Sequence, residues 1–102
     1  MTDGGGRRRW IQASYDLLNC DDRNVTAATI AVYVALRSFA DSSDECYPSI
    51  PALAQRAHVS IRTARSHIRL LETMGYVELV GYGGRGRRST HRYKVYLEPR
   101  DV

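Results

Sequence analysis

The chain has 102 residues, 43% hydrophobic and 25% charged, which suits one domain with an adequate core. No apolar run reaches the length of a membrane span, and MTDGGGRRR lacks a signal peptide's apolar segment, so a cytoplasmic protein is expected. The formal net charge of +4 is unevenly spread: residues 1–59 hold six Arg against seven acids, while residues 60–96 hold seven Arg and Lys94 against Glu72 and Glu78, a local field that favours a polyanion.

In chain order, residues 1–9 read as a flexible basic arm, small and Gly-rich before Arg7, Arg8 and Arg9. The three arginines suit either a phosphate strand or minor groove, or a solubilising tail. The main domain spans residues 10–97, with 98–102 as a tail. Residues 10–18 suggest a short extended segment and a turn of helix, with Trp10, Ile11, Leu17 and Leu18 packing this end onto the body. Asp21-Asp22-Arg23-Asn24 is a turn, and Asn24 or Thr26 caps a helix running to about residue 40. That helix is apolar nearly all round, with Arg37 and Ser38 as its late polar positions, so it is buried on more than one side. One side meets the helices that follow. The other is covered by residues 10–18 or by a second copy, which makes the helix or the N-terminal segment the candidate homodimer contact.

A polar loop at 41–45 and a brief extended piece at Cys46-Tyr47 lead into YPSIPALAQRAHVSIRTARSHIRLLETMGYVELV. Ser49 caps a first short helix, with Pro51 early in it, where a missing N–H does no harm. Ile50, Leu53, Ala54 and Ala57 are spaced for burial. Arg56 stays outside, where it and Ser49 are candidates for phosphate contacts. Ala57-His58-Val59 is a sharp turn. Ser60 caps a second helix that stops at Gly75, a residue that tolerates the left-handed backbone. Two helices crossing at such a turn are the helix-turn-helix arrangement, which presents its second helix to the major groove. On that helix, Ala64, Ile68, Leu71 and Gly75 form one stripe. Arg62, Ser66, Arg69 and Thr73 lie opposite, with Arg65 at the edge and no acid among these positions. Arginine binds guanine O6 and N7 bidentately.

After Gly75 the period becomes alternating. Tyr76–Tyr82 reads as one strand and His91–Leu97 as its partner, with Tyr93, Val95 and Leu97 on one face and Arg92, Lys94 and Tyr96 on the other. The Gly-rich tip carries Arg85, Arg87 and Arg88, which suit phosphate or a narrow minor groove. The expected fold is therefore α+β, mainly α: a three-helix core plus a C-terminal β-hairpin wing, or winged helix-turn-helix. Every basic residue but Lys94 is Arg, as phosphate and base recognition or a GC-rich genome would produce.

Cys20 and Cys46 read as reduced and structural. With His58, His67 and His91 scattered, no metal-ligand spacing exists and no cofactor is expected. No nucleophile–base or paired-carboxylate grouping appears, and the Gly83-Gly84-Arg85-Gly86 loop lacks the lysine and following helix of a P-loop, so no enzyme is expected.

The stretch from Tyr47 to Val80 resembles the helix-turn-helix of plasmid and phage replication-initiator-like proteins and related small bacterial regulators. The shared features are YPS before the first motif helix, Leu53-Ala54 within it, Val59-Ser60-Ile61-Arg62-Thr63, and Leu71-Glu72-Thr73-Met74-Gly75-Tyr76-Val77. TIAVYVALRSFAD is similar to their first helix and its exit. The resemblance implies sequence-specific binding of double-stranded DNA, with Arg62, Thr63, Arg65, Ser66 and Arg69 in reading positions; Ser60 at the start of that helix and Arg92 in the wing are further candidates for the contact. His67 departs from the small apolar residue often found there, at the edge of the stripe facing a partner helix or a phosphate; Leu70 also lies off the stripe. Such initiators usually carry further domains, so a regulator acting by occupancy is expected. Replication control or partition, and a winged helix used to bind proteins, are the alternatives.

Overall fold

The computed structural model describes residues 11–83 and 90–99. Its helices begin where a side chain supplies an acceptor for amides that have no partner within the helix. Ser14 Oγ accepts from the Leu17 N–H at 3.2 Å and opens α1, Tyr15–Leu18. The Thr26 N–H donates to Thr29 Oγ1 at 2.9 Å at the start of α2, Ala27–Phe39. Ser49 Oγ accepts from Ala52 at 3.2 Å and opens α3, Ile50–Ala57. Ser60 Oγ accepts from Thr63 at 3.1 Å and opens α4, Ile61–Met74. Gly75 ends α4 in the left-handed conformation, φ 89°, as its sequence position implies.

The sheet is larger than a hairpin. Alongside β2 (Val77–Gly83) and β3 (Thr90–Val95), a two-residue strand β1 (Glu45–Cys46) pairs antiparallel with β3, giving the order β1-β3-β2. Cys46 lies opposite Tyr93, and Val77 opposite Val95. The register shifts between Leu79 and Gly81, which leaves Val80 as the extra residue of a bulge.

The core gathers around α2. Val32, Tyr33 and Leu36 meet Leu53 from α3, Leu71 from α4, and Val77, Tyr93 and Val95 from the sheet, all of them buried. Tyr33 stacks edge-on against Tyr76 at 5.9 Å, and its hydroxyl donates to the Tyr96 carbonyl at 2.7 Å, so a large apolar ring is buried with its polar tip paired. Burial pushes the Cys46 thiol up to about 12, leaving it protonated and inert.

Two expectations need correction. Among the described residues of this end, Leu17 enters the core while Ile11 and Leu18 stay 47% and 62% exposed; α1 is a single turn with one inward position, and Ile11 precedes it. Trp10, the arm, residues 84–89 and 100–102 lie outside the described residues. Arg37, read as a late polar position, is buried. Its Nε donates to the Gln12 carbonyl at 2.9 Å, and its Nη1 to Asp44 Oδ1 and the Val95 carbonyl, each at 3.0 Å. One guanidinium thus joins the N-terminal segment, the loop before β1 and the end of β3.

Candidate nucleic-acid interface

The site begins with the turn. After Ala57 the chain passes through His58 at φ 61°, ψ 41°, and the His58 and Val59 N–H groups bond back to α3 carbonyls. This left-handed residue reverses the direction between α3 and α4. It is not glycine, so it carries the Cβ penalty of that region. His58→Gly is therefore expected to raise stability by about 0.5–1 kcal/mol, after discounting glycine's own entropy loss; urea unfolding of the two proteins measures it.

The turn fixes how α4 is presented. Ala64, Ile68 and Leu71 are buried at 0%, 4% and 0% exposure, while Arg62, Arg65, Ser66, Arg69 and Thr73 are exposed. The structure thus brings these predicted residues onto one solvent-facing surface. Among the described residues, no carboxylate lies within ion-pair distance of the three arginines. The nearest acid influence is Glu72, whose carboxyl is pushed up by burial against the opposing pull of His91 and Arg69. Ser60 and Thr63 are occupied locally: the Ser60 hydroxyl donates to Thr63 Oγ1 at 2.9 Å while accepting the Thr63 N–H.

Two grooves flank α4. On the side toward the sheet, Arg65, Arg69 and Glu72 face Leu79, His91 and Tyr93. On the other side, His67 and Leu70 form a groove with Asn24, from the loop before α2, that runs out to Arg62 and Arg69. This accounts for Leu70: it is half-buried in the wall of that groove. His67 faces the partner helix, with Nδ1 2.9 Å from Thr29 Oγ1 of α2.

The remaining candidates are more dispersed. Ser49 is exposed but its hydroxyl serves the α3 cap. Arg56 is exposed and turned toward the end of α2, donating to Ser38 Oγ at 3.0 Å with its guanidinium 4.1 Å over the Phe39 ring. Arg92 is not brought beside the α4 arginines. Tyr93 and His91 point to the α4 side of β3, and Arg92, between them, points to the other. Its Nη2 donates to the Val80 carbonyl at 3.4 Å, and its Nε lies 3.9 Å from Glu45. Sequence reasoning missed His91 as the residue facing α4, although the alternation along β3 already indicated it. Arg85, Arg87 and Arg88 fall outside the described residues. Among the described residues, no group of three or more His, Cys, Asp or Glu is gathered as a metal ion would need, and no helix is long and apolar enough to cross a membrane.

The sequence model of a family described as a helix-turn-helix domain matches residues 23–77, from the loop before α2 to the first residue of β2. No curated protein and no solved structure matches the chain.

Proposed function

The chain belongs to the helix-turn-helix domain family, and on that premise we propose that it binds double-stranded DNA in a sequence-specific manner, as a small transcriptional regulator of bacterial, plasmid or phage type. The observation that carries this reading is the outer surface of α4: Arg62, Arg65 and Arg69 with Ser66, exposed and with no carboxylate within ion-pair distance among the described residues. A solvated helix face ordinarily mixes charge signs for i,i+4 pairs. An all-cationic one suits the major groove, where guanidinium forks meet guanine.

In this mechanism α4 enters the groove N-terminus first and its arginines read base edges. Ser49 at the cap of α3 and Arg56 on it, with Arg85, Arg87 and Arg88 of the wing, hold flanking phosphates and fix the register, while Arg92, on the far face of β3, stays out of the contact. Regulation is by occupancy of a site. Pairing of two chains through α2 or the N-terminal segment would set half-sites about 34 Å apart, one helical turn.

Selection of bound fragments from random duplex DNA tests the proposal, and a consensus is the expected result. Its mapping near promoters supports a regulator, and mapping to repeat arrays favours replication control or partition instead. Absence of any enrichment, with binding to proteins that ignores the arginine face, would identify an interaction module. The wing is tested separately. Arg87→Ala should weaken binding on all sequences alike and reduce the magnitude of the salt slope by about 1, as the loss of one phosphate contact does; an unchanged slope removes the wing from the interface.

A further inference from the structure

We propose that His67 is a phosphate-binding residue of this interface, its ring set by Thr29 so that Nε2–H faces the DNA backbone on the side of α4 away from the wing. The inference rests on the DNA-binding reading and adds a contact that charge patterning does not reveal.

The argument starts from a buried hydroxyl. Thr29 is 0% exposed and receives the Thr26 N–H at 2.9 Å. Its own proton has two main acceptors: the Asn24 carbonyl at 3.4 Å and His67 Nδ1 at 2.9 Å. The 3.4 Å contact to the Asn24 carbonyl is at the edge of hydrogen-bonding range, so we assign the Thr29 proton to His67 Nδ1, although the 2.9 Å contact by itself fits either direction. With Nδ1 accepting, the neutral imidazole carries its proton on Nε2. Among the described residues Nε2 has no partner, yet it is not among the buried unpaired atoms, of which Arg92 Nε is the one found. Nε2 of this half-buried ring is therefore open to solvent.

The solvent it meets is the groove that His67 shares with Asn24, Leu70, Arg62 and Arg69. A helix lying in the major groove has a phosphate strand along each flank. The sheet-side flank of α4 faces His91 and the wing. The opposite flank has the exposed Arg62 and Arg69 at its outer lip, with the half-buried His67 beside Asn24. A phosphodiester drawn in by the arginines has one fixed donor waiting, already desolvated on its inner side, and charge-assisted bonds of this kind are the strong ones.

Two isosteres separate the ring's two jobs. The amide of Asn takes the place of Nδ1, and that of Gln the place of Nε2. His67→Asn is expected to keep the Thr29 contact and the melting temperature, yet to bind duplex DNA about tenfold more weakly. His67→Gln is expected to melt lower while binding within about threefold of wild type. The loss in His67→Asn should be equal on the selected site and on random duplex, because phosphate carries no sequence information. Nitrogen shifts of the His67 ring should report the Nε2–H form in wild type and a mixture in Thr29→Val. Wild-type affinity in His67→Asn, equal losses in both variants, a loss confined to the selected site, or an Nδ1–H ring overturns the inference. Failure of the wild-type protein to bind any duplex at low salt would instead overturn the DNA-binding reading on which it rests.

Discussion

Arg37→Leu is expected to lower folding stability by about 3 kcal/mol. The cost does not come mainly from the ion pair: the Asp44 side chain is 50% exposed, so solvent screens that attraction. It comes mostly from the buried Val95 carbonyl that Arg37 satisfies, with the part-buried Gln12 carbonyl adding less, since a buried acceptor left unpaired costs about 1–3 kcal/mol. Asp44→Asn offers the comparison. Asparagine keeps an acceptor for Nη1 and tolerates the left-handed backbone at φ 62°, so about 1 kcal/mol is expected there. Chemical denaturation of both variants decides the matter; equal losses would show that the charge pair, rather than the carbonyls, carries the energy.

Arg62→Ala or Arg65→Ala should cost about 1–3 kcal/mol of binding at the preferred duplex and relax the choice of base there. Neither residue is committed elsewhere among the described residues, and both stand on a helix whose inner face is locked by Ala64, Ile68 and Leu71. Truncation therefore removes a contact without disturbing the scaffold, and the melting temperature should hold. Titrations against the selected site and single-base variants of it supply the measurement. An equal loss on every sequence would mean that these side chains touch only phosphate.

The helix-turn-helix was legible because its signals are local. Ser49, Ser60 and Gly75 mark helix ends by their own chemistry, and the stripe from Ala64 to Leu71 follows from helical geometry. What escaped was non-local. A strand of two residues, Glu45–Cys46, has no periodicity, and only its partner on β3 defines it. Arg37 looks like a solvated late helix position because the carbonyls that hold it come from residues 12 and 95. Arg92 was grouped with the wing on charge, although the alternation that buries Tyr93 and Val95 places it on the far face. His67 shows both sides of this: its position at the stripe's edge was visible, while Thr29, which orients it, was not.

The strand order has a consequence for synthesis. β3 lies between β1 and β2, and it also provides Val95 for the core and for Arg37. It is the last of these elements to leave the ribosome. Until it does, the nascent chain holds α2 with Tyr33 and Leu36 uncovered on the sheet side, and β1 has no partner to pair with. The domain therefore closes in one late step after translation has passed the helix-turn-helix, and a ribosome stalled before Thr90 should display a protease-sensitive, chaperone-bound chain rather than a preformed DNA reader.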